Sequence, residues 1–97
     1  MQDFSAALAG IRRGERWKRL GWLDDQFIFL VQGSKFVVNR PPLNVIYPEG
    51  TVIDYQPRID IALAGGRVAV WHPVHADLLS IDWVTAPAAA PRAATTA

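Results

Sequence analysis

Cysteine is absent from this sequence. That excludes disulfide staples and thiolate zinc sites, and nothing in the composition points to secretion. Histidine is scarce: His72 and His75 are the only two, which leaves a metal site short of ligands. Apolar residues make up 51% of the chain, yet no apolar run reaches the roughly 20 residues that span a bilayer. Phe4 to Ile11 is short, has no basic segment before it and is interrupted by Arg12 and Arg13, so it does not read as a signal peptide. Net charge is also lacking, at +1, which argues against a protein devoted to coating nucleic acid. Catalytic signatures are missing as well. There is no P-loop, no Gly-x-Gly-x-x-Gly and no acidic metal cluster, and Ser5, Ser34 and Ser80 lack a nucleophile-elbow context.

What remains is a single domain with a surplus of aromatic surface. The 97 residues end in an Ala/Pro-rich stretch without large apolar side chains, so residues 86–97 are expected to be a disordered tail and residues 1–85 one ligand-binding domain. A body of that size buries little on its own. Four tryptophans and no cysteine therefore point to a soluble, cytoplasmic protein that gains burial by self-association. Five of the ten basic residues, Arg12, Arg13, Arg16, Lys18 and Arg19, fall in one short stretch. They read either as an anion-facing cluster or as a solvated helix end and edge strand.

Phe4, Ala7, Leu8 and Ile11 keep helical spacing, with Asp3 as N-cap and Gly14 as stop, and predict a helix over about 4–13. Short strands are expected at Arg16 to Leu20, Phe27 to Val31, Thr51 to Gln56, Arg58 to Leu63, Arg67 to Trp71 and Ile81 to Val84. Lys35 to Val38 reads as a brief extended piece, and Pro73 starts a helical turn reaching Leu79. Ala64-Gly65-Gly66 supplies a hairpin turn. The fold class is α+β: one N-terminal helix packed on a small, mainly antiparallel sheet, with a long proline-containing loop.

That loop, Val38-Asn39-Arg40-Pro41-Pro42-Leu43 followed by Ile46-Tyr47-Pro48-Glu49-Gly50-Thr51, is the most informative stretch. Adjacent prolines fix φ and remove backbone donors, so polar side chains beside them are presented from a stiff frame. Such preorganisation lowers the ordering cost of binding. The alternative is a plain structural crossover. Arg58 and Asp60 share one face of their strand, opposite Ile59 and Ile61, and could meet a phosphate and a hydroxyl or base amine, or simply pair with each other. Among the tryptophans, Trp22 beside Gly21 is the first candidate for a ligand-facing ring and Trp71 the second, while Trp83 is assigned to the core.

The order of these motifs resembles one family. The Phe-x-x-Ala-Leu helix, Gly-Trp, Phe-Leu-Val-x-Gly-Ser, Val-Asn-Arg-Pro-Pro-Leu, Tyr-Pro-Glu-Gly-Thr, Pro-x-Ile-Asp and a closing Asp-Trp are similar to the small phage and prophage proteins that include the Thoeris anti-defence 2 family. The resemblance runs from about Phe4 to Trp83. It implies a molecular sponge without a cofactor, metal or catalytic residue. Such a sponge binds cyclic ADP-ribose-type signals, and in some members cyclic dinucleotides at a separate site, as a homotetramer with ligands at subunit interfaces. Carried onto this chain, the implied ligand-binding set is Trp22, Asn39, Arg40, Pro41, Tyr47, Arg58, Asp60 and Trp71. Arg58 stands where many relatives carry histidine. The competing readings are a phosphodiesterase-like enzyme acting on the same signals and a nucleic-acid or protein-binding module. A signal of roughly 35 heavy atoms at about −0.3 kcal/mol per atom gives about −10 kcal/mol, a Kd in the tens of nanomolar. Affinity of that order needs near-complete enclosure, so both partners of an interface are expected to contribute to each pocket.

Overall fold

A computed structural model describes residues 1–87. The expected disordered tail falls largely outside them. The N-terminal helix α1 spans Phe4–Arg12. Asp3 caps it, its carboxylate accepting the Ala6 N–H at 3.0 Å. At the other end Gly14 adopts φ +91°, which lets the Gly14 N–H reach the Ile11 carbonyl and the Glu15 N–H reach the Gly10 carbonyl, both at 3.0 Å. This is a Schellman stop, and it ends the helix one residue earlier than the spacing predicts.

Five strands form the main sheet: β1 (Trp17–Arg19), β2 (Phe27–Val31), β5 (Arg58–Ala62), β6 (Val68–Val70) and β7 (Trp83–Thr85). Their order is β6-β5-β2-β1-β7, and every pairing is antiparallel. Two strands, β3 (Ser34–Val37) and β4 (Val52–Tyr55), make a separate two-stranded sheet. The piece expected as merely extended is thus a paired strand. Its partner lies beyond the proline loop, at a range that residue alternation cannot report. Two short helices complete the body, α2 (Leu43–Ile46) inside the proline loop and α3 (His75–Leu79) before β7.

The core lies between α1 and one face of the main sheet. Ala7 and Ile11 pack with Trp17, Ile28, Trp71 and Trp83, and Phe4, Trp22, Leu30, Ile59 and Ile61 close around them. Trp83 is fully buried and holds the centre: Phe4, Trp22 and Trp71 have their rings 5.4, 5.4 and 6.0 Å from it. Its indole N–H donates to the Asp77 carbonyl at 2.8 Å. Gly10 permits a second aromatic contact. A Cβ there would collide with the Trp17 indole nitrogen and with a Glu15 carboxylate oxygen, and those two groups hydrogen-bond to each other at 2.9 Å over the helix surface.

Arg19 fastens the α3 corner to the sheet. Its Nε donates to Asp82 at 3.0 Å and its Nη1 to Asp77 at 3.2 Å. Asp77 in turn accepts the Val74 N–H at 3.1 Å, closing the first turn of α3. The basic cluster is therefore largely absorbed into structure: Arg13 pairs with Glu15, Lys18 with Asp24, and Arg19 with both aspartates.

Candidate ligand-binding site

The two-stranded sheet and the proline loop form an arm on the main body. At its root Gly33 passes against the backbone of residues 55–57, where a Cβ would strike the Tyr55 carbonyl and crowd Pro57 N at 3.1 Å. The register runs Ser34↔Tyr55 to Val37↔Val52, and Phe36 packs against Tyr55 with ring centroids 5.5 Å apart and planes tilted by 52°. Beyond the last ladder pair, Val38 donates to the Thr51 carbonyl at 2.9 Å and accepts from Gly50 N–H at 3.1 Å. Gly50 takes φ +90°, a conformation open to glycine. The Thr51 hydroxyl and N–H both reach the Pro48 carbonyl, at 2.6 and 3.1 Å. Tyr-Pro-Glu-Gly-Thr is therefore a hydrogen-bonded turn that clamps the returning end of the loop.

The outgoing end is fixed by its prolines and by α2. The Pro41–Pro42 peptide is cis. The Arg40 carbonyl accepts Asn44 N–H at 3.1 Å, Pro42 accepts Val45 at 3.1 Å and Leu43 accepts Tyr47 at 2.8 Å. These bonds hold an open groove of about 530 Å³ lined by residues 36–43, within the size range of small-ligand sites. Val38 is buried beneath it, while Asn39, Arg40 and Pro41 are exposed on its wall.

The structure brings together part of the residue set expected from sequence. Asn39, Arg40 and Pro41 line the groove, and Tyr47 stands exposed at the far end of α2, on the same loop. The other four lie on the main body. Trp71 is a core residue at 9% exposure, packed between Phe4 and Trp83, and Trp22 sets its edge against Trp83. Trp71 follows an exposed strand, so its burial under α1 has no local sequence signal. Arg58 and Asp60 form the same-strand ion pair, with Arg58 Nε 2.9 Å from Asp60 Oδ1. Asp60 is buried, at 5% exposure. Both of its oxygens accept from Arg58, the second at 3.5 Å. Sequence reasoning missed Phe36 and Val37 as groove residues, because their role follows from the β3–β4 pairing.

On the main body, hydrogen bonding from Arg19 holds the Asp82 carboxyl below the usual aspartate range, and Arg13, then Trp17, do the same for Glu15. Asp82 and then Asp77 raise the Arg19 guanidinium further above its already high value. Among the described residues no group of three or more His, Cys, Asp and Glu side chains is placed to hold a metal ion. Among them, too, no helix is long and apolar enough to cross a membrane.

A family model of the Thoeris anti-defense 2-like domain matches residues 2–86, the body just described. The chain belongs to that family. Membership covers α1, both sheets and the proline loop together, and it supports a Thoeris anti-defence role. No curated protein matches the chain.

Proposed function

We propose that this Thoeris anti-defense 2-like protein is a non-enzymatic sponge. It binds cyclic ADP-ribose isomers in the cytoplasm of an infected or lysogenic host and withholds them from their effector, with cyclic dinucleotides as a second ligand class. The observation that carries this reading is the groove over residues 36–43, a preformed space that presents Arg40 and Asn39 from a backbone held by two prolines. Arg40 supplies a fixed cation for a phosphate, Asn39 a donor and acceptor for hydroxyl or base edges, and Tyr47 a side wall.

The groove is open on one side, whereas tight capture of a small ligand requires burial of most of its surface. The same arm exposes Val37, Val45, Ile46 and Val52, with Val45 at 84%. A two-stranded sheet with so much uncovered apolar surface is marginal in isolation. A second copy seated against it would cover those side chains and close the groove, as part of a homotetramer. In that assembly the exposed half of Arg58 and the partly exposed rim of Trp22 are further ligand contacts where the partner copy reaches them, with Asp60 orienting Arg58 and Trp71 held in the core behind.

Calorimetric titration with glycocyclic ADP-ribose isomers and with cyclic dinucleotides tests the proposal. Saturation at a fixed stoichiometry, followed by heating that returns the ligand intact, supports it. Recovery of a cleaved product would make the protein an enzyme and refute it.

A further inference from the structure

The two edges of the main sheet are finished differently. At β7 the N-terminal segment closes the edge, Gln2 and Trp83 exchanging both backbone bonds at 2.9 Å. β6 has β5 on one side and, among the described residues, no strand on the other. Its register, Asp60↔Val70, Ile61↔Ala69 and Ala62↔Val68, extends through Leu63 N–H to the Arg67 carbonyl at 2.8 Å and Trp71 N–H to the Ile59 carbonyl at 2.9 Å. Residues 67, 69 and 71 therefore turn their backbone groups to β5, and antiparallel alternation turns those of Val68 and Val70 outward. Among the described residues these outward groups have no hydrogen-bond partner, and all of β6 is exposed. Bare edges are commonly guarded by a lysine, a proline or a bulge. Val68-Ala69-Val70 carries none of them.

We propose that β6 pairs antiparallel with β6 of a second copy across a two-fold axis at Ala69, joining two main sheets into one. Val68 then exchanges both backbone bonds with the partner's Val70, and Val70 with the partner's Val68, while the two small Ala69 residues form the close pair between them. Ala69 is registered with core-facing Ile61, so the valines lie on the sheet face away from α1 and stand opposite one another across the join. No charged side chain lies within β6, so none meets its own mate at the axis. Helix α1 packs over β1, β2 and β7 and leaves the join clear. Gly65 and Gly66, at positive φ, end the strand on one side and Pro73 lies just beyond it on the other, which confines the pairing to a closed pair. Three residues bury far less than the about 800 Å² per partner of a stable interface, so neither a lone dimer nor an extended peptide is held by β6 alone. The contact belongs within the homotetramer of the sponge reading, on which this inference rests. A closed tetramer built on two-fold axes needs two different self-complementary contacts; the arm offers one and β6 the other.

The test is residue-resolved amide exchange by NMR on the full chain, with sedimentation velocity on the same samples. The Val70 amide is expected to exchange roughly tenfold more slowly in the parent than in Val68→Lys, which sets a cation on the join. The parent sediments as a tetramer and Val68→Lys as a dimer. Val68→Pro deletes one outward N–H without touching the β5 ladder and carries the test should thermal melts show that Val68→Lys does not fold. Equal exchange at Val70 in parent and variant, a tetramer that survives both substitutions, or protection of Val70 in a chain that sediments as a monomer would overturn the proposal. Titration with a glycocyclic ADP-ribose isomer separates the two readings. A tetramer paired through β6 that takes up no signal refutes the sponge and supports this inference, whereas capture by a tetramer indifferent to both substitutions does the reverse.

Discussion

Gly33 lies so close to the carbonyl of Tyr55 that no side chain fits between them. The contact sits where β2 passes into β3 and β4 into β5, so it sets how the arm leaves the body. Gly33→Ala is predicted to cost about 1–3 kcal/mol, the usual penalty of forcing an extra carbon into a packed site. Because the crowding atoms are backbone, the arm must shift to relieve it. Chemical denaturation measures the loss, and signal binding should weaken along with it. A variant as stable as the parent, binding equally well, would show that the root of the arm is not constrained.

Trp83 is the element on which three other aromatic rings converge. Trp83→Ala removes those contacts and leaves the Asp77 carbonyl without its indole donor, for a predicted loss of about 3–5 kcal/mol. Trp22 touches the same cluster from its rim, so Trp22→Ala should cost less. Paired urea melts check the ranking.

Acid should loosen the α3 corner first. Arg19 holds the Asp82 carboxyl below its ordinary range. A depressed folded-state value means that the stabilisation is present above the unfolded value of about 3.9 and is lost as pH falls through the folded one. Thermal midpoints should therefore be level from neutral pH to about 5 and decline below about 4. Asp82→Asn should lower the plateau and flatten that decline.

Arg58→Gln would leave the buried Asp60 carboxylate without its guanidinium. The expected cost is about 1–3 kcal/mol, and the double variant with Asp60→Asn should recover part of it. A double-mutant cycle on thermal stability reads the coupling directly, and additive losses would mean that the pair acts as two independent residues.

In the proline-loop groove, Arg40 is exposed, and no carboxylate pairs with it among the described residues. Arg40→Ala is expected to leave the fold intact while weakening capture of a cyclic ADP-ribose isomer roughly ten- to hundredfold, the worth of a charge-assisted hydrogen bond. Calorimetry on the folded variant checks it.

Local chemistry made much of this molecule legible before its structure. Asp3 and Gly14 marked the ends of α1, and Gly65 and Gly66, both at positive φ, marked the β5–β6 turn. The alternation in Arg58 to Ala62 correctly put Ile59 and Ile61 on the core side. Long-range pairing was not legible. Nothing in Ser34 to Val37 announces that its partner is Val52 to Tyr55, so the arm and the floor of its groove emerged only in three dimensions. Trp83 was legible as core, but the burial of Trp71 was not, for a related reason. A ring beside a glycine or at a strand end looks available in one dimension, while the packing of α1 across the sheet decides which rings are covered.

Native mass spectrometry of the full chain, with and without a glycocyclic ADP-ribose isomer, tests the central claim most directly. The account predicts a tetramer that takes up a fixed number of unmodified ligands set by its interfaces. A monomer that still holds the signal tightly, or a bound mass corresponding to a cleaved product, would contradict it.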